Sequence, residues 1–151
     1  MKLQRAPLSH TCLATAFAMV LGVDALDLIN SIGRNPHEVL WPQLIEPQCY
    51  RGHHIQEMID YAWTKGHTVT EIQAMPRFGT LGCTETFGLY HSKFAMPRIA
   101  EYMRLCNGVI TSPTHAVAWC NDMVYDPNGT MYPIEELTDP IQSFYAVVRA
   151  S

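Results

Sequence analysis

The stretch from Thr11 to Leu21, T-C-L-A-T-A-F-A-M-V-L, carries no charge, and it constrains the fold more than any other part of the chain. Its Ala, Leu and Met content gives it high helix propensity, and Gly22 stands where a helix would stop. A helix that is apolar on every side offers no face to water and belongs in the middle of a domain. Thr11 is positioned to cap its N-terminus. Cys12 then falls in the first turn of a central buried helix.

Other helices are expected on either side of a proline-containing stretch. Asp24 can cap a second helix that runs through Leu26, Ile29 and Ile32 and ends at Gly33. Ile55, Met58, Ile59, Ala62 and Trp63 follow the i, i+3, i+4, i+7, i+8 pattern of a third, with Gly66 as its stop. Between them, Asn35 to His54 holds three prolines and reads as irregular. Thr68 to Ile72 can form a short strand. Met75 to Lys93, with three glycines and one proline, reads as a long loop. Pro97 suits the first turn of a fourth helix with the apolar line Ile99, Tyr102, Met103 and Cys106.

From Gly108 onward the pattern changes to short runs rich in Val, Ile, Tyr and Phe: Gly108 to Ser112, His115 to Cys120, Met123 to Asp126 and Phe144 to Arg149. Helices first and an antiparallel sheet afterwards argue for an α+β fold rather than a doubly wound one. At 151 residues the chain fits a single domain, residues 1–151.

Charge and composition exclude several classes. The net charge is −4 and the ten basic residues are scattered, so no basic stripe awaits a nucleic acid. No apolar run is long enough for a membrane helix. The segment Met1 to Pro7 has no apolar core of the secretory type, so a cytoplasmic location is expected. Five cysteines at irregular spacing, with no C-x-x-C pair, fit neither a disulfide framework nor a zinc ribbon.

The chemistry is expected at Cys12. A thiol is a poor nucleophile until it becomes a thiolate, and a helix N-terminus favours that anion through its dipole and its N–H groups. The polar run Ser9-His10-Thr11 can keep the thiol accessible. A base is available in His115, which opens a strand that should turn at Asn121-Asp122 and return as Met123 to Asp126. A two-residue loop pairs Cys120 with Met123, Trp119 with Val124 and Val117 with Asp126. His115, Val117, Asp126 and Asn128 then share one face. Asp126 lies diagonally from His115, within reach of its ring, and could fix the tautomer. Asn128, opposite His115 in this register, is the rival orienter. Gln4 could fold back beside Cys12 and, with the Cys12 backbone N–H, bind an oxyanion.

Gln4, the Cys12 to Gly22 run, Thr114-His115-Ala116-Val117 and Tyr125-Asp126-Pro127-Asn128-Gly129 together resemble the papain-like cysteine peptidases, in particular the bacteriocin-leader-processing branch and its stand-alone relatives. The order Gln, Cys, His, Asp spans nearly the whole chain. Leu13 and Thr114 stand where many members of that family have glycine. The resemblance implies Gln4 as oxyanion donor, Cys12 as nucleophile, His115 as base and Asp126 as its orienter. It implies a peptidase or amide hydrolase that acts on a peptide or protein and needs no cofactor. An acyltransferase would use the same residues, and a non-catalytic binding protein could keep the same scaffold.

Other groups carry weaker signals. Cys49, His53 and His54 form a C-x-x-x-H-H cluster, yet adjacent histidines seldom reach one metal and no fourth ligand is evident. Cys83, in the glycine-containing run Gly79 to Cys83, is a rival nucleophile without helix support. Trp41, Trp63 and Trp119 read as core and cleft wall, and Glu135-Glu136 as a solvated turn.

Overall fold

The computed structural model describes residues 1–37, 52–73, 103–112, 114–137 and 142–151. The uncharged segment forms α1 (Cys12–Leu21), with Ala14, Thr15, Ala16, Phe17, Ala18 and Met19 all buried. Gly22 ends it in the left-handed region, and the Val23 N–H closes the cap on Ala18 O at 3.0 Å. Asp24 caps α2 (Ala25–Ile32), its Oδ1 accepting from the N–H groups of Leu26 and Asp27 at 2.9 and 3.1 Å.

Helix α3 (Ile55–Thr64) starts on a capping box in which histidine takes the usual hydroxyl's place. His54 Nδ1 accepts from the Gln56 N–H at 3.0 Å, and Glu57 Oε1 accepts from the His54 N–H at 2.8 Å. The same Glu57 pairs with Arg34 at 2.6 Å and so joins the end of α2 to the start of α3. The buried face of α3 is Met58, Tyr61 and Ala62. Trp63 lies about 100° further round the helix. It is 66% exposed, not part of the core or cleft wall as expected from its place in the apolar pattern.

The strands are β1 (His67–Gln73), β2 (Asn107–Thr111), β3 (Ala116–Cys120), β4 (Met123–Asp126), β5 (Thr130–Pro133) and β6 (Ser143–Arg149). They form one antiparallel six-stranded sheet in the order β1-β6-β2-β3-β4-β5. The fold is therefore α+β. Strand β5 was not expected from the sequence, whereas the 3-10 turn Ile134–Glu136 that follows it is the solvated turn expected at Glu135-Glu136. Thr130-Met131-Tyr132-Pro133 shows no buried alternation, and its proline is tolerated because β5 lies at the sheet edge. Glu135 and Glu136 are solvent-exposed in that turn.

The central strands β2, β3 and β6 are buried on both faces over most of their length. Helix α1 packs on one, over Val109, Ala116, Ala118, Tyr145 and Val147. The other carries Ile72, Met103, Ile110, Val117, Trp119, Val124 and Phe144. Trp119 lies across Gly108, its cross-strand partner, where a Cβ would meet the indole ring and Tyr145 O. The indole N–H donates to Cys106 O at 2.9 Å.

Residues 103–105 have helical backbone, in keeping with the last part of the expected fourth helix. The rest of that helix, the long loop, Trp41, Cys49 and Cys83 lie outside the described residues. Among the described residues no single helix is long and apolar enough to cross a membrane.

Candidate active site

Cys12 is the first residue of α1 and is half-buried. Thr11 does not cap the helix with its side chain, contrary to expectation. Its hydroxyl turns back and donates to Leu8 O at 2.5 Å, while its carbonyl accepts from the Thr15 N–H at 2.9 Å. The first-turn N–H groups are thus not capped by the Thr11 side chain, and they lie beside the sulfur that their dipole favours as an anion. The chain reversal between Leu8 and Thr11 sets the entry into α1, with His10 held at φ 61°.

His115 directly precedes β3. Ser112 fixes its backbone: the Ser112 N–H donates to His115 O at 2.8 Å, and the His115 N–H donates to Ser112 Oγ at 3.0 Å. The β3–β4 register is the expected one, Cys120 opposite Met123, Trp119 opposite Val124 and Ala118 opposite Tyr125. It brings the Asp126 carboxylate to the imidazole, with Nε2 and Oδ1 at 2.8 Å.

The Cys12 side chain acts on the same ring and does most to raise the His115 pKa, to about 9. Burial opposes the rise, and the hydrogen bond and charge of Asp126 add to it. An imidazolium beside a sulfur at a helix N-terminus is the arrangement that stabilises a thiolate.

Asp126 is 4% exposed and fully engaged. Oδ1 also accepts from the Asn128 N–H at 3.0 Å, and Oδ2 accepts from the Tyr132 hydroxyl at 2.9 Å. Asn128, the rival orienter, is exposed, and its side-chain oxygen accepts from the Thr130 N–H and hydroxyl at 3.0 and 2.6 Å. Asp126 therefore holds the imidazole and Asn128 closes the turn. No local pattern in the sequence marks Tyr132. Only the β4–β5 register, with Thr130 opposite Asp126 and Tyr132 opposite Val124, puts its hydroxyl on the carboxylate's face.

Gln4 does not stand beside Cys12. Its Nε2 donates to Val23 O at 2.6 Å and its Oε1 accepts from the Ala25 N–H at 2.8 Å, so the amide clamps the connection between α1 and α2. That is the opposite end of the helix from the thiol. The expectation of an oxyanion donor at Gln4 is not met, because both polar ends of the amide are engaged there.

Cys12 opens into a cleft of about 390 Å³, with Leu8, His10, Leu13, His53 and Thr114 among its lining. His10 packs edge-on against the His37 ring at 5.7 Å. The paired histidines after Cys49 have separate positions: His54 caps α3, and His53 reaches the cleft. Gly52, at φ 81°, sits so close to His10 O that a Cβ there would overlap it. This close approach brings the segment that carries His53 against the loop before Cys12. Comparison with protein-family models, curated proteins and solved structures found no match for this chain.

Proposed function

We propose that this chain is a papain-like cysteine hydrolase, a peptidase or amide hydrolase, with Cys12 as nucleophile, His115 as general base and Asp126 as the group that orients it. The observation that carries the reading is one imidazole hydrogen-bonded to a buried carboxylate, its pKa raised chiefly by a thiol at a helix N-terminus. Three residue types in that chain of contacts are what acyl transfer to sulfur requires.

In this mechanism the Cys12 sulfur attacks a substrate carbonyl carbon and forms a C–S bond. The carbonyl oxygen takes the negative charge, toward the first-turn N–H groups of α1, which Thr11 does not cap with its side chain. His115, protonated, gives its proton to the leaving amine as the C–N bond breaks. Water then attacks the thioester and passes a proton to His115, which returns it to the sulfur as the acid leaves. Asp126 keeps the imidazole turned toward the sulfur throughout.

The test is the rate at which iodoacetamide labels Cys12 at pH 7, read by peptide mass spectrometry in the wild type and in His115→Ala. The variant is expected to label about tenfold more slowly or worse, because the thiolate has lost its imidazolium partner. Equal rates in the two proteins would sink the assignment.

A further inference from the structure

None of the described residues that line the Cys12 cleft is Lys, Arg, Asp or Glu. Ala6, Leu8 and Leu13 supply its apolar surface, and Leu8 is 44% exposed. A single exposed leucine is ordinary on a protein surface, but this one stands in the same concavity as the candidate nucleophile. Thr11 adds no free polarity there, because its hydroxyl is spent on Leu8 O. At about 390 Å³ the cleft lies toward the small end of ligand sites, which run from about 300 to 1,000 Å³.

The wall that carries Leu8 is fixed before anything binds. The Ala6 N–H donates to Pro127 O at 2.8 Å, which ties the start of this loop to the residue after Asp126. Leu8 O accepts from the Thr11 hydroxyl at 2.5 Å, and Gly52 packs against His10 O with no room for a Cβ. A wall held in this way loses little conformational freedom when a ligand settles on it.

The position of the base decides which half of a substrate meets that wall. The leaving amine takes its proton from His115, so it departs on the imidazole's side of the sulfur. Cys12 and Thr114 line the cleft, and His115 does not. The cleft is thus on the acyl side of the attacked carbon.

We propose that the Cys12 cleft is an acyl-side subsite for an uncharged aliphatic side chain, that of the peptide residue whose carbonyl Cys12 attacks, with Leu8 and Leu13 as its apolar contacts. The inference rests on the acyl-transfer reading above and names the class of substrate. A charged side chain is disfavoured in this place, because it gives up water and meets no ionic partner among the described lining residues.

The experiment measures acylation of Cys12 by the p-nitrophenyl esters of N-acetyl-leucine, N-acetylglycine and α-N-acetyl-lysine. In each case a C–S bond forms, the aryl ester C–O bond breaks and p-nitrophenolate leaves, which absorbance reads. Each rate is divided by that of free N-acetylcysteine with the same ester, which removes intrinsic reactivity. The leucine ester is expected to exceed the glycine ester by about 10- to 100-fold, the value of burying one aliphatic side chain. The lysine ester should fall below the leucine ester by about tenfold or more. In Leu8→Ser the leucine-to-glycine ratio is expected to drop by about 3- to 10-fold. Leu13→Ala is the second variant and should lower the same ratio.

Leucine and glycine esters that react alike, both faster than with urea-denatured protein, overturn the proposal and leave the hydrolase reading standing. A lysine ester as fast as the leucine ester also overturns it. So does an unchanged ratio in both variants, even where the separate rates fall, because the two leucines would then shape the thiol rather than select the substrate. A preference for p-nitrophenyl hexanoate over acetate, without one for leucine over glycine, overturns it in favour of a fatty acyl chain. If no ester acylates folded Cys12 faster than the denatured protein, the acyl-transfer reading itself fails and the proposal with it.

Discussion

The His115 imidazole stands 2.8 Å from the Asp126 carboxylate, and this contact joins two strands whose pairing was set by a two-residue turn. The carboxylate is buried and anchored by three donors, so it acts as a fixed point from which the ring is aimed. The ring is the movable, titrating partner.

His115 should therefore titrate near pH 9 in the folded protein, where a free histidine titrates near about 6.5. Its folded pKa is raised, so its contribution to stability is complete below about pH 6.5 and is lost as the pH climbs through about 9. Histidine ring NMR against pH would read the midpoint. Cys12→Ala, which removes the largest raising cause, is expected to lower that midpoint more than Asp126→Asn does. An unmoved midpoint in Cys12→Ala would show that the two side chains are not in contact.

Asp126→Ala should slow Cys12 labelling at pH 7, and by less than His115→Ala, because the base remains but is no longer oriented. Asn128→Ala should leave labelling close to wild type, since its side chain bonds only within its own turn. Tyr132→Phe falls between. It removes a hydrogen bond to a buried carboxylate and should cost about 1–3 kcal/mol in urea unfolding. Equal losses at Asp126 and Asn128 would mean that the orienting group is misassigned.

Gln4→Ala separates a structural glutamine from one at the thiol. The substitution strands the Val23 carbonyl and the Ala25 N–H at the α1–α2 connection. Urea denaturation should report a loss of about 1–3 kcal/mol. Acylation and alkylation of Cys12 in the folded variant should match wild type. A selective loss of acylation would return Gln4 to the site.

Gly108→Ala tests the packing that supports β3. Its added methyl meets the Tyr145 carbonyl, which belongs to the sheet backbone, and the Trp119 ring, which is fully buried. Overpacking of this kind costs about 1–3 kcal/mol, occasionally more. Urea unfolding should show that loss, and near-ultraviolet circular dichroism should show a changed tryptophan environment. A variant as stable as wild type would mean that the indole does not lie over Gly108.

Local order along the chain determined the elements that hold the site. The uncharged run ending at Gly22 placed Cys12 at a helix start, and Asp24 and Gly33 bounded α2 to the residue. Asn121-Asp122, both in the left-handed region, fixed the β3–β4 register and so the meeting of His115 with Asp126. These are near-neighbour effects: propensity, capping and turn geometry depend on residues a few positions apart. Tertiary structure decided the rest. Whether Gln4 lies at the thiol or at the other end of α1 depends on the path of the first residues across the helix, which no local pattern encodes. Tyr132 reaches Asp126 through an edge strand without apolar alternation, and His53 reaches the cleft because Gly52 packs against His10. The sequence specified which groups could do chemistry, while long-range packing selected which of them meet, because a side chain's partner is set by where the backbone passes.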